Sequence, residues 1–355
     1  MKKFFVCMLS LCMMLTVLSS CGAKDEPSST SAEPPTQTGL PESYDLIMSM
    51  GSETSSTYAM GIQIGEYINT LAPDITCTVK AGAGASNLAL LNSNQAVIGH
   101  SNSDVAHQAI VGGGDFADPL TNFYGVASVM QSVLHVAVPA DCPVNTFKEL
   151  VDTKYPIKLS VGVQGSSIEL LMRNIFAYYG VTYEDIASWG GKIEDLNIGD
   201  ASTLFTDGQL DGVAVIAGMP YATCSEIAAS EDIKFLALDA DIIEAFSSEG
   251  YIAQVIPANT YTGQTEDVPS LAAMVTVFAS EEADEEVIYE ICKFLNSDEG
   301  IATLGNLNSG FADYMTGPES GIAGIEVELH PGAARYYEEV GVNYIDYLIS
   351  GAKIQ

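Results

Sequence analysis

The sequence predicts an α/β fold in two lobes joined by a hinge, with a ligand cleft between them. Three observations predict it. Apolar, β-branched runs alternate with helical patterns along most of the chain, the rhythm of a mostly parallel sheet covered on both faces. The alternation comes as two series, one opening near Tyr44 and one near Lys158. Two extended apolar runs, Val133 to Pro139 and Ala272 to Ala279, are placed to carry the chain across to a second lobe and back. With 355 residues, 47% of them hydrophobic, the chain is long enough for two lobes and too apolar for wholesale disorder.

In the first unit, Leu46, Ile47, Met48 and Met50 form a strand pattern that ends at Gly51. The hydroxyl-rich turn Ser52, Thr54, Ser55, Ser56 and Thr57 follows, and a helical pattern starts at once. Unpaired N–H groups at a helix start, backed by the positive end of its dipole, attract anionic groups. Ile75 to Lys80 reads as a strand, followed by the loop AGAGASN and a helix to Asn92. Gln95 to His100 is a third strand, and SNSD opens a helix at Asp104. Phe123 to Met130 and Val133 to Pro139 read as two buried strands, with a short helix from Asn145 to Val151. The second series starts with a strand from Lys158 to Val163, the turn Gly165-Ser166-Ser167 and a helix from Ile168 to Tyr179. Leu210 to Ala217 is a strand ending in Gly218-Met219-Pro220, with a helix behind it. Ile233 to Leu238 is one more strand, and a long helix from about Asp284 to Leu295 follows the return crossing. In open parallel sheets ligands sit beyond the carboxyl ends of the strands, so these turns can face one another across a cleft.

The amino terminus has Lys2 and Lys3, an apolar run from Phe4 to Val17 and then small residues, the pattern of a secretory signal peptide over 1–20. Leu18-Ser19-Ser20-Cys21 looks like a bacterial lipobox, which makes Cys21 the expected lipidation site. Gly22 to Pro41 is rich in Ser, Thr, Pro and Glu, so 21–42 is expected to be a flexible tether. An extracytoplasmic protein anchored to the bacterial cell membrane is expected. Cleavage before Cys21 leaves 11 basic against 46 acidic residues, a formal −35. Such a balance excludes nucleic acid as a natural partner. Cys77, Cys142, Cys224 and Cys292 show no metal-like spacing, and Cys77 and Cys292 resemble small buried hydrophobes. A single disulfide stays open as an alternative, a disulfide scaffold does not.

Gly82-Ala83-Gly84-Ala85-Ser86 follows a strand and opens a helix, but Asn87 stands where a dinucleotide fingerprint wants a third small residue. His100 ends the next strand where the fingerprint wants an acid, so a tight turn for a small anion is the favoured reading. A nucleophile elbow would place serine at Gln164, so Ser166 is read as a helix cap that can also touch ligand. Of the four histidines, His135 sits in an apolar strand as a core or hinge residue, and His100 ends a strand on the cleft side. Asp104 is read first as a helix cap and second as a group that binds a ligand ammonium. Arg173 and Arg335 are the only arginines, and Arg173 lies two turns along its helix, so a carboxylate ligand would rest mainly on N–H groups and hydroxyls, with Lys80 or water as helpers. No catalytic residue, metal site or cofactor is expected.

Several stretches together resemble the substrate-binding subunits of tripartite ATP-independent periplasmic (TRAP) transporters, in their TAXI branch. They are GSETSSTY at 51–58, AGAGASNLALLNSNQAVIGHSNSDVAHQA at 81–109 and GVQGSSIELLMRNIFAYYGVTYEDI at 162–186. LDGVAVIAGMPYAT at 210–223, VIPANTY at 255–261 and HPGAARYYEEVGV at 330–342 continue the match. The resemblance implies a type II periplasmic-binding-protein-like fold with lobe 1 at 43–136, lobe 2 at 137–275 and a return to lobe 1 with C-terminal helices at 276–355. It implies a receptor, not an enzyme, that captures a small organic acid or amino acid such as glutamate or 2-oxoglutarate. Sodium- or proton-coupled uptake through TRAP permease subunits would follow, with the receptor a monomer. By position the family's binding loops fall on Ser52, Thr54, Ser55, Ser56 and Tyr58, and on Gly82, Ala83 and Gly84. They continue at Asn102, Ser103 and Asp104, at Gly165, Ser166 and Ser167, and at Gly218 and Met219. This chain departs from the pattern where Ser55 and Ser56 replace glycine and where Gly82-Ala83-Gly84 replaces Gly-Gly-Ser. The alternatives are a binding lipoprotein of an ABC importer, an exported enzyme using Ser166 or Asp104, and a surface lipoprotein that senses or contacts protein.

Overall fold

A computed structural model describes residues 39–344. The expected leader, Cys21, most of the tether and the last eleven residues lie outside the described part. The first lobe opens β1 (Tyr44–Met50), α1 (Ser56–Leu71), β2 (Ile75–Ala81), α2 (Gly84–Asn92), β3 (Ile98–Asn102) and α3 (Ser103–Val111). Then β4 runs unbroken from Phe123–Pro139. Beyond it lie α4 (Phe147–Asp152), β5 (Lys158–Ser160), α5 (Ser167–Tyr178), α6 (Tyr183–Ser188), β6 (Lys192–Glu194) and α7 (Ile198–Thr206). They are followed by β7 (Gly212–Ala217), α8 (Ala222–Ser230), β8 (Ile233–Phe235), α9 (Ala240–Phe246) and β9 (Tyr251–Ile256). The return strand β10 (Val268–Ser280) leads to α10 (Glu285–Leu295), α11 (Asp298–Leu307), α12 (Ser309–Tyr314) and α13 (Pro331–Glu339).

The strands form one sheet in the order β2-β1-β3-β10-β4-β7-β5-β6. Its wings are parallel, with β1 between β2 and β3 and β5 between β6 and β7. Its centre is antiparallel, which corrects the expectation of a mostly parallel sheet. The reason is topological: β4 carries the chain out of the first lobe and β10 carries it back, so their directions oppose. They pair from Phe123 against Ser280 to Val133 against Ala272. The two apolar runs expected around Met130 to Val133 are one strand, because residues 131 and 132 keep the ladder with Met274 and Ala273.

Period-2 alternation distributes the core over both faces of each wing. Leu46, Met48 and Met50 of β1 pack with α1, α10 and α13 on one face, while Ile47 packs with α2 and α3 on the other. In the second lobe Leu134, Val136 and Val138 of β4 face α4 and α5, and Val133 and Ala137 face α7 and α8. Along β4 the first-lobe core ends at Val129 and the second-lobe cores begin at Val133. Along β10 the change falls between Met274 and Val275. The expected α/β architecture of two lobes is thus present, with the β4 crossing at the start of the Val133 to Pro139 run expected to carry the chain across.

β3 and β9 lie end to end along the same edge of β10. Asn102 pairs with Val275 and Tyr251 with Ala273, which leaves only Met274 between them. The Met274 N–H donates to Ser103 Oγ at 2.8 Å, closing the gap. Gly250 is required beside it: its φ is +83°, and a Cβ there would stand 2.7 Å from Asp104 Cα. β9 is not among the strands expected from the sequence, and this junction places it.

The four cysteines expected in the mature domain, Cys77, Cys142, Cys224 and Cys292, are free. No helix among the described residues is long and apolar enough to cross a membrane. His330 caps α13, with Pro331 at its first turn.

His135 is fully buried on β4. Its Nδ1–H donates to the Val133 carbonyl at 2.9 Å, and Nε2 accepts from the Tyr261 hydroxyl at 2.8 Å. Burial pushes its pKa down to about 4, whereas an unfolded chain titrates near about 6.5. The native imidazole stays neutral where the unfolded one takes up a proton, so stability is intact above that window and is withdrawn as pH falls through it. His107 works with the opposite sign, because its hydrogen bond to Glu326 raises its pKa. Replacing His135 with Gln should flatten the fall of the urea midpoint between pH 6.5 and 4; a decline parallel to the parent's would contradict this. Phe147, wholly buried against Phe176 in the second lobe, should cost about 3–5 kcal/mol when cut to Ala. Hydrogen exchange should show the loss in α4 and α5 before α1 and α10.

Candidate functional site

A cleft of about 390 Å³ opens where three helix starts converge. From the first lobe come Ala83, Gly84 and Ala85 at the start of α2, then His100 and Asn102 on β3. Asp104, Val105 and Gln108 of α3 continue the wall, with Asp115 and Phe116 beyond it. The second lobe supplies Gly165, Ser167, Leu170 and Asn174 from α5 and the turn before it, and Tyr251 from β9. Turns from both series do converge on one cavity at the carboxyl ends of strands.

Of the residues expected to bind ligand, Ala83, Gly84, Asn102, Asp104, Gly165 and Ser167 line this cleft. The others do not, and their bonds say why. Ser55 Oγ donates to the Ser52 carbonyl at 2.7 Å and accepts the Tyr58 N–H at 3.1 Å, so Ser52, Ser55 and Tyr58 form a self-contained turn and cap. Thr54 is exposed, and Ser56 Oγ faces Asn308, the cap of α12, at 3.5 Å. The Gly82 N–H donates to Gly51, and a Cβ at Gly82 would sit 2.1 Å from Asn87 Oδ1, so this glycine serves packing. Ser103 closes the β3–β9 junction described above. Ser166 accepts the Glu169 N–H as the cap of α5. Gly218 and Met219 follow β7, and Met219 packs on the core beside α7 and α8.

Asn87 is what sequence reasoning missed. It is fully buried, and its Oδ1 accepts from Ser49 Oγ at 2.8 Å. Its Nδ2 donates to the carbonyls of His100 at 2.8 Å and Met50 at 3.2 Å. One amide side chain therefore ties β1, α2 and β3 together directly under the cleft wall. The signal was present: a polar residue on the inward face of an apolar helix.

The electrostatics of the cleft differ from those expected. Each of the three helix starts already holds an oxygen of the protein's own. At α2, Ser86 Oγ accepts the Ala83 N–H at 3.2 Å. At α5, the wholly buried Glu169 accepts the Gly165 N–H at 3.1 Å. At α3, the Asp104 carboxylate faces its own N–H and that of Val105. The turn amides expected to replace missing arginines are thus partly committed. So are the arginines: Arg173 pairs with Glu169 at 2.5 Å, and Arg335 pairs with Glu285 and Glu286 at 3.0 and 2.7 Å. Among the described residues no Lys or Arg lines the cleft. His100 is held neutral, its pKa pushed down to about 4 by burial.

Asp104 is the unbalanced group. Its residue is 5% exposed; Oδ2 accepts from the Tyr251 hydroxyl at 3.2 Å, and Oδ1 has no hydrogen-bond partner among the described residues. Burial raises its pKa more than the nearby N–H groups and Tyr251 lower it. A helix N-terminus offsets about 0.3–2 kcal/mol for an anion, while a buried carboxylate carries a penalty of several kcal/mol. Asn102, not Asp104, occupies the cap position of α3, which corrects the first reading of Asp104. Asn87→Ala, by orphaning buried partners on three elements, should cost about 3 kcal/mol in urea denaturation. A change below about 1 kcal/mol would show that water replaces the amide fully.

The fold is similar to that of several solved proteins. The periplasmic aliphatic sulphonate binding protein SsuA from Escherichia coli is 16% identical, with 78% of this chain and 83% of that chain covered and a TM-score of 0.42. A TctC solute binding protein from Polaromonas is 15% identical over 78% of this chain and 90% of that one, with a TM-score of 0.47. The alkanesulfonate-binding protein SsuA from Xanthomonas axonopodis pv. citri, bound to MOPS, is 15% identical over 87% and 95%, with a TM-score of 0.41. The family model of the NMT1-like family matches residues 48–341, nearly the whole described domain, and the chain belongs to that family.

Proposed function

We propose that the chain is an extracytoplasmic solute-binding receptor that captures a small organic acid or amino acid and hands it to a membrane transporter. The observation that carries this reading is the cleft of about 390 Å³, walled by α2 and α3 of one lobe and α5 of the other. Its volume suits a ligand of amino-acid size. The chain crosses between the lobes in two paired strands, β4 and β10, a connection that can bend while each core stays intact. In this reading the lobes are 43–136 with 276–355, and 137–275. Ligand bridging both walls stabilises the closed arrangement by its differential affinity for it.

The resemblance of residues 51–58, 81–109 and 162–186 to TAXI-type receptors favours a TRAP transporter with sodium- or proton-coupled uptake and a ligand like glutamate or 2-oxoglutarate. A lipid anchor at Cys21 would hold a monomeric receptor at the outer face of the cell membrane. The sulfonate-binding proteins among the similar structures favour the other reading, a binding lipoprotein of an ABC importer. Genes for a fused TRAP membrane component or for an ATPase beside this one would separate the two. An enzymatic role is disfavoured, because Ser166 is spent as a helix cap.

Protein purified, unfolded, dialysed and refolded should bind a member of a panel of amino acids and small carboxylates by calorimetry. Binding should shrink its radius of gyration in small-angle scattering. A panel without a binder, together with a scattering profile that never changes, would remove the receptor reading.

A further inference from the structure

The cleft is polar yet carries charge of one sign. Asp104 and Asp115 line it, and its other polar groups, Asn102, Gln108, Asn174 and the neutral His100, bear none. A plain dicarboxylate entering it would meet carboxylates, with both arginines of the chain bound to glutamates elsewhere. The protein's own oxygens already sit on the three helix starts that would otherwise receive an anion.

Asp104 supplies an independent observation. It is buried in the lining of the cleft, where β3 and β9 meet, and Oδ1 has no hydrogen-bond partner among the described residues. Tyr251 holds Oδ2 from the other side of that junction, which fixes the carboxylate in place. Gly250, packed on Ser103 and Asp104, fixes Tyr251 in turn. A buried, oriented carboxylate with a vacant acceptor matches a compact cation with several N–H donors. Phe116 and Tyr251 also line the cleft.

Taking the chain to be a solute receptor, we infer that the cleft recognises a protonated amino group through Asp104, so that its solutes are amino acids or related amines and not plain carboxylates. Any carboxylate of such a solute is secondary and rests on turn amides and neutral side chains. The raised pKa of Asp104 without ligand agrees with this, since an ammonium beside it would hold it ionised.

The test titrates the refolded, ligand-free protein by calorimetry with the standard L-amino acids and with their des-amino and 2-oxo counterparts, glutamate against glutarate and 2-oxoglutarate among them. At least one amino acid should bind, and its counterpart should bind more weakly, by on the order of a hundredfold, the effect of an unpaired buried charge. Asp104→Asn should abolish that preference while melting no lower than the parent without ligand. Equal or tighter binding of the des-amino or 2-oxo acids would overturn the assignment and leave the receptor reading standing. A preference that survives in Asp104→Asn would overturn it likewise. Should Asp104→Asn fail to fold, the parent's preference decides alone. Binding by neither class would remove the receptor reading and this one together.

Discussion

The antiparallel pairing of β4 with β10 is the constraint on which the rest of the structure depends. Both strands pass through both lobes, so each lobe's sheet is built outward from the same central pair. β3 and β9 attach to one edge of β10, head to tail, and only Met274 separates them. Everything at the floor of the cleft follows from that junction. It puts the start of α3 against Tyr251, which arrives from the second half of the chain, and it buries Asp104 between them. A helix placed by β3 alone would leave that carboxylate in water, where it would have nothing unusual to do.

The walls of the cleft show how a protein with a strong acidic excess treats its own helix starts. Positive helix ends are usually read as invitations to an external anion. Here Ser86, Asp104 and Glu169 stand on them first. Glu169 is the clearest instance, because it takes the Gly165 N–H on one side and the Arg173 guanidinium on the other. The turn before α5 is therefore braced from within. Rigid turns present a fixed surface to a ligand without spending binding energy on ordering them. What the cleft then offers a solute is mainly shape, neutral polar groups and negative charge.

Both crossing strands change core at one level of the sheet. The crossing residues of β4 lie between Val129 and Val133, and those of β10 at Met274 and Val275. Beyond them His135 is locked by Val133 and Tyr261 in one neutral tautomer. Two separately packed cores on either side of a short strand crossing allow bending without disturbing either core, because close-packed interiors resist deformation and paired strands can flex between them.

Much of the fold was legible in the residues. Alternating apolar runs and glycine- and hydroxyl-rich turns marked β1, β2, β5, β7 and the helices after them, because one buried face imposes its period on the sequence. The cap at Ser166 was equally local. By itself the sequence determined the α/β alternation, the two series, the crossing strands, the acidic balance and the scarcity of arginine. Tertiary structure decided the rest. It fused two apolar runs into β4 and made the centre of the sheet antiparallel, since direction depends on which lobe a strand leaves. It also chose which polar residues reach the cleft. Asn87 and Asp104 are short polar residues near helix starts, alike in a one-dimensional pattern. Only the meeting of distant strands satisfies one of them completely and leaves the other with a bare oxygen.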